Sequence, residues 1–376
     1  MTANAAPQET RFNVLERLLA SDPSNVSLLT DCAEAALDER NAERVVDLLD
    51  RRSKIVEPGT REINLLGLAA LQAHRFEDAA TIFCSLQAVG EHSPELHFNL
   101  AWARANLRDF SGALEVLSDA DALSLSQAAM LRIQLLHQLG EITGAGETAR
   151  TYIATHPTHR GLLAAVSVLA LDIEDEELAA ECAARAGDHP DALTTLGTLA
   201  LSNEHATDAL EFFERALATN NGSPRAWVGL GLARLMTGAP EAASTALDRG
   251  AAIFGDHLGS WIAAGWSYFV NGDLANARAR FETALALDPT FAESHGSLAV
   301  LDVLEGRADE AARASDVAVR LDRHCYSAAL AKSLLAAGVG DVQTAQRIFD
   351  MASSTPIDGS GRTIAQALAR MGLGLK

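Results

Sequence analysis

The chain has 376 residues, of which 48 % are hydrophobic and 21 % charged, so it can bury a core and is not composed like a disordered chain. Its formal net charge is −20, which repels phosphate backbones and anionic lipid and argues against nucleic acid as the main ligand. Aromatic residues are only 5 %, while alanine and leucine abound, a bias that suits close-packed helices rather than sheets.

The opening stretch, MTANAAPQETRFNVLERLLA, lacks a basic region followed by an apolar core, so no signal peptide is expected. No run approaches 18 apolar residues without charge, so no membrane insertion is expected either. Cys32, Cys84, Cys182 and Cys325 are far apart, show no CxxC spacing, and read as small buried hydrophobes of a reducing compartment. A cytoplasmic location is the resulting expectation. The small basic group Arg51, Arg52 and Lys54 reads as a solvated helix end. The alanine- and arginine-rich composition, with Lys54, Lys332 and Lys376 as the lysines, hints at a bacterial source.

Taken in chain order, residues 9–22 read as the second helix of an incomplete first unit. A pattern of slots then recurs every 34 residues. Gly67 and Ala101 share one slot, joined later by Gly197, Gly231, Gly265, Ala299 and Ser333. Ala79, Ala113, Ala209, Ala243, Ala277, Ala311 and Ala345 share a second. Phe83, Leu117, Phe213, Leu247, Phe281, Ser315 and Phe349 share a third. This spacing predicts two helices per unit: small residues mark close helix approaches, where larger side chains would overpack, and bulky ones fill the groove between the helices. Gly238, Gly272, Gly306 and Gly340 fall at the turn, where a positive φ is cheap. Pro23, Pro58, Pro94, Pro157, Pro190, Pro224 and Pro289 fall between units, where helices stop or start.

On these slots the chain resembles the tetratricopeptide-repeat (TPR) family. Trp261, Ala264, Gly265, Tyr268, Ala277, Phe281, Ala284 and Pro289 match its signature best. The resemblance implies an all-α fold, a right-handed TPR superhelix (an α-solenoid) of about ten helix-turn-helix units with terminal capping helices. The expected organisation is an N-terminal segment over 1–157, a degenerate repeat and bend over 158–189, a C-terminal segment over 190–355, and a loop and capping helix over 356–376. In 158–189 the acidic run Glu174 to Glu177 should open a shortened second helix. At the end, Thr363 to Met371 reads as a short amphipathic helix that would cover the apolar end of the stack.

No chemistry stands out. HPTH at 156–159 and DRHC at 322–325 crowd ligand types, but each sits at a unit junction without a second ligand pair. There is no HExxH, GxxxxGKS/T or GxSxG; GSGRT at 359–363 reads as a hinge, and Asp175 and Glu177 lack an identifiable pocket. The expectation is a protein without catalytic residues, cofactor or metal.

The resemblance also implies that first helices line the inner face. By helical spacing from the small slots, the C-terminal inner residues are Val228, Leu232, Leu235, Met236, Ile262, Trp266, Phe269, Val270, Val300, Val303 and Leu304, an apolar band. Family members that grip acidic peptide ends use lysine, arginine and asparagine there, so that clamp-like role is not expected. The N-terminal inner residues are mixed: Arg61, Asn64, Leu68 and Gln72, then Glu95, Phe98, Trp102 and Asn106, then Gln134, His137 and Gln138. Such a lining suits the backbone of an extended peptide. The apolar band has two open readings: a groove for an amphipathic partner helix, or the protein's own core. The functional expectation is a non-enzymatic scaffold binding a partner protein, as a chaperone or assembly factor of a secretion or surface-appendage system. The alternative is a regulatory subunit or adaptor that positions a partner enzyme; a third reading, an enzyme in its own right, would need a site assembled from distant repeats, which sequence spacing does not reveal.

Overall fold

The computed structural model describes residues 10–142 and 144–354, so the expected capping helix at 363–371 lies outside the described residues. Every described element is a helix. The chain divides into two compact units, one up to Gly187 and one from Asp188 onward.

In the first unit, α1 (Arg11–Ser21) precedes five helix groups. They are α2 (Val26–Asp38) with α3 (Ala42–Ser53), α4 (Thr60–Gln72) with α5 (Phe76–Ala88), and α6 (Pro94–Asn106) with α7 (Phe110–Val116) and α8 (Asp119–Ser124). Then come α9 (Ser126–Gln138) with α10 (Ala145–Thr155), and α11 (Arg160–Asp172) with α12 (Glu176–Ala186). The second unit holds α13 (Pro190–Ser202) with α14 (Ala206–Thr219), α15 (Pro224–Met236) with α16 (Pro240–Phe254), and α17 (Leu258–Val270) with α18 (Leu274–Leu287). It continues with α19 (Ala292–Leu304) and α20 (Ala308–Leu321), then α21 (Tyr326–Gly338) and α22 (Val342–Ser353).

Helix starts follow local chemistry. Asn25, Ser93, Ser223, Asp273 and Asp341 accept from orphan backbone N–H groups at the starts of α2, α6, α15, α18 and α22. Pro94, Pro190, Pro224 and Pro240 occupy first turns, where their missing N–H costs nothing.

The small slot faces the bulky one across each pair. A Cβ on Gly67 would lie 2.6 Å from the Phe83 ring, and one on Gly197 would lie 2.8 Å from Phe213. Gly231 and Gly265 leave still less room against Leu247 and Phe281. Phe83, Phe213, Leu247 and Phe281 are fully buried, so each pair closes over its own aromatic or leucine. Where the bulky slot holds Ser315, the facing slot has grown to Ala299, and both are buried.

The turn slot has positive φ throughout. Gly238, Gly272, Gly306 and Gly340 lie at φ 78, 79, 78 and 84°, but Arg40, His74, Arg108, Glu174 and Glu204 take the same conformation without being glycine. The third group departs from a simple pair. Its second helix stops after Val116, Leu117 turns extended, and a new helix opens at Ser118. The cause is a capping box: Ser118 and Asp121 satisfy each other's backbone N–H. Cys32, Cys182 and Cys325 are buried and Cys84 half-buried. Burial pushes the Cys182 thiol up to about 11 and the Cys325 thiol to about 12, well away from thiolate chemistry. No described helix is long and apolar enough to cross a membrane.

Candidate partner-binding pocket

The first helices α4 and α6 approach each other far less closely than α19 and α21 do. Between them and the start of α9 lies a cavity of about 630 Å³, within the usual range for a specific ligand site. Thr60, Arg61, Asn64 and Leu68 of α4 form one wall, and Glu95, Leu96, Phe98 and Asn99 of α6 form the other. Leu86 closes the bottom; Glu91 and Ser93 come from the loop before α6, and Leu125 and Gln127 from the start of α9.

The walls divide by chemistry. Leu86 and Leu96 are buried, Leu68 packs onto the cluster around Phe83, and Phe98 and Leu125 pack onto the cluster around Leu131, giving an apolar floor. The side-chain amides of Asn64 and Asn99 are partly exposed and hydrogen-bond to no described residue, so both offer a donor and an acceptor to whatever enters. Arg61 is already held by Glu34, at 2.6 Å, and Asp31, at 3.4 Å. The hydrogen bond that Arg61 donates to Glu34, and the Glu34 charge, push the Arg61 guanidinium up from its ordinary value. Glu91 and Glu95 are exposed and pair with no cation among the described residues.

The start of α6 is anchored from outside the cavity. His97 Nδ1 lies 3.0 Å from the buried Asp121 carboxylate and its Nε2 lies 3.4 Å from His92 Nδ1. Burial works to raise the Asp121 pKa, but hydrogen bonds from Ser118 and His97 prevail and hold the carboxyl below its ordinary value. The broken second helix thereby fixes the wall that carries Phe98 and Asn99. Among the described residues no three His, Cys, Asp or Glu side chains converge on a metal position.

Of the N-terminal inner residues, Arg61, Asn64, Leu68, Glu95 and Phe98 line the cavity. Trp102 stacks on Phe98 with ring centroids 6.2 Å apart and stays 38 % exposed beyond the cavity's edge. Asn106 donates to the Trp102 carbonyl at 2.8 Å, Gln72 donates to the Leu37 carbonyl at 3.0 Å, and His137 is bonded to Asp172. Those three are engaged by their own chain. Gln134 is exposed and lies outside the cavity lining. Sequence spacing missed Asn99, Glu91, Leu125 and Gln127. Asn99 is one position round the helix from Phe98, and the others sit where helices end, so no periodicity reports them.

The C-terminal apolar band is not continuous. Val300 is fully buried and joins Ala299 and Ala331 in one cluster, with Trp266, Phe269, Leu330 and Leu334 packed on it. Its assignment to a partner surface is corrected accordingly: it is core. The reason is the approach of α19 to α21, where a Cβ on Gly296 would lie 2.6 Å from the Ala328 nitrogen. Small residues let these first helices meet; Ser297 donates to Ser327 at 3.3 Å across the contact. Trp266 also packs against Phe269 and Phe281, at centroid distances of 5.0 and 5.5 Å. Ile262 packs onto the Phe281 cluster, and Val228 presses on the backbone-level slot at Gly250. Leu235, Met236 and Val303 are half-buried, while Leu232, Val270 and Leu304 remain 38, 64 and 51 % exposed.

Comparison with known proteins agrees with this packing. Family models described as tetratricopeptide repeat match residues 64–125, 200–261 and 262–324. No curated protein sequence matches the chain. Among solved structures, the human IFIT1 dimer with m7Gppp-AAAA aligns over 91 % of this chain and 93 % of its own, at 11 % identity and TM-score 0.52. A monomeric IFIT1 mutant with Gppp-AAAA aligns over 91 % of this chain and 94 % of its own, at 11 % identity and TM-score 0.51. MamA aligns over 44 % of this chain and 92 % of its own, at 20 % identity and TM-score 0.38. The IFIT1 likeness concerns the fold; the repeat matches concern the same slots that pack glycine against phenylalanine. The chain belongs to the tetratricopeptide-repeat family, whose helix pairs serve as scaffolds for protein interaction.

Proposed function

We propose that this protein is a scaffold without catalytic function of its own, whose N-terminal unit holds an extended segment of a partner protein between α4, α6 and the start of α9. The observation that carries this reading is the cavity itself: two uncommitted amides, Asn64 and Asn99, stand over an apolar floor of Leu68, Leu86, Leu96 and Phe98. An extended chain presents backbone N–H and C=O groups to such amides and drops one side chain onto the floor. Burying a leucine-sized side chain there contributes about 1.5–3 kcal/mol, and each amide bond about 1 kcal/mol.

The net charge of −20 favours a protein segment over an RNA end. A partner helix on the C-terminal band receives less support, because Trp266, Phe269 and Val300 already pack on one another. A scaffold with such a pocket could serve a chaperone, an assembly factor or a regulatory subunit alike.

The test is an array of immobilised random nonapeptides probed with the full chain, followed by fluorescence polarisation on the strongest binder. The double variant Asn64→Ala, Asn99→Ala should fold normally and bind at least tenfold more weakly. Equal binding by wild type and variant would refute the pocket as the site.

A further inference from the structure

Two carboxylates and one guanidinium stand among the described residues that line the cavity, and two further carboxylates outside the lining hold that guanidinium. Among the described residues, Glu91 and Glu95 stand on its wall unpaired, while Asp31 and Glu34 hold Arg61, the one cation in the lining. Arg61 therefore offers little to an incoming anion: a carboxylate ligand would have to displace two existing partners and approach two free ones of its own sign. A cation meets the opposite situation. It finds two solvated carboxylates with no competing partner, beside an apolar floor that lowers the local dielectric. The chain's net charge of −20 adds a long-range field of the same sign.

Resting on the reading of the cavity as a peptide site, we infer that its occupant is a cationic segment: an apolar side chain seated on Leu68 and Phe98, with lysine or arginine within reach of Glu91 and Glu95. The amides of Asn64 and Asn99 take the backbone, which fixes the segment's direction and sets the spacing between its apolar and basic residues. This is the inverse of a site for acidic chain ends, because here the fixed charge on the wall is negative and the cation is already spent on its own chain.

Three parts of one experiment separate this inference from the reading beneath it. On the nonapeptide array, lysine or arginine should be enriched within three positions of the apolar anchor. For the strongest binder, exchanging its basic residues for glutamate should weaken binding at least tenfold, and raising salt from 50 to 500 mM should weaken the original peptide but not a neutral analogue. The full-chain double variant Glu91→Gln, Glu95→Gln should lose three- to tenfold for the basic peptide and keep its affinity for the neutral analogue. Binders without basic enrichment, but sensitive to Asn64→Ala and Asn99→Ala, would overturn the inference and leave the pocket standing. A preference for acidic peptides, or displacement of the basic peptide by single-stranded RNA at equal concentration, would also overturn it. No peptide binding at all would refute both.

Discussion

The α4–α6 pair and the α19–α21 pair hold equivalent places in their repeats, yet one leaves a cavity and the other is shut. On α4 and α6 the facing residues are Asn64, Leu68 and Phe98, whose bulk holds the two helices apart. On α19 and α21 they are Gly296, Ser297, Ser327 and Ala328, which let the backbones meet and bury Val300. Repeat position therefore does not decide whether an inner residue is surface or core; the size of its neighbour across the next unit does. Polar side chains at the wide place stay solvated and available, while apolar ones at the narrow place become packing. The turns differ less sharply: glycine serves in the second unit from Gly238 on, while in the first Arg40, His74, Arg108 and Glu174 serve beside Gly140.

The sharpest way to break the comparison is Val300→Asp. A carboxylate placed in that dry contact has no partner, so the full chain should lose about 4 kcal/mol or more, read as a large fall in Tm by calorimetry. Leu304→Asp, one helical turn further on and 51 % exposed, should change stability by no more than about 0.5 kcal/mol. Similar losses from both would mean that the narrow place is not core. Next in size is Phe281→Ala, which removes a fully buried ring from the pair that also holds Trp266 and should cost about 3–5 kcal/mol at most, lowered if Trp266 collapses inward.

The first unit carries a pH dependence through Asp121. Its folded-state pKa lies below the ordinary 3.8, so its stabilising effect is complete above that value and is lost as pH falls through the lower, folded value. Between pH 5 and 2, wild type should therefore lose more stability than Asp121→Asn, as read by circular dichroism at α-helical wavelengths. A parallel decline in both proteins would show that the His97–Asp121 link does not hold α6. The smallest effects concern the turns. Arg108→Gly, at φ 63°, should stabilise by about 0.5 kcal/mol after the entropy cost of glycine, and Gly272→Ala, at φ 79°, should destabilise by about 1 kcal/mol.

Much of the fold was legible because it is written in repeated pairs. Gly67 against Phe83 and Gly265 against Phe281 are contacts sixteen residues apart within one unit, and a recurring pair of slots reports them directly. The break after Leu117 was equally local but passed unread, since the signal Ser118-x-x-Asp121 lies inside a stretch that otherwise continues the slots. The left-handed turns at Arg40, His74 and Arg108 gave no signal, because the residue type there does not announce the conformation. The site was harder. Asn64 and Phe98 follow from helical spacing, but whether they border open space depends on the gap between α4 and α6, which no single unit encodes. Val300 shows the converse, since its slot is the one that holds Trp266 and Leu232.

The most direct test of the central claim is a hydrogen–deuterium exchange footprint of the full chain with and without its strongest array peptide. Protection should appear in residues 60–72, 91–106 and 125–130 and leave 258–304 unchanged. Protection centred on 258–304, with the α4 and α6 segments unaffected, would contradict the account.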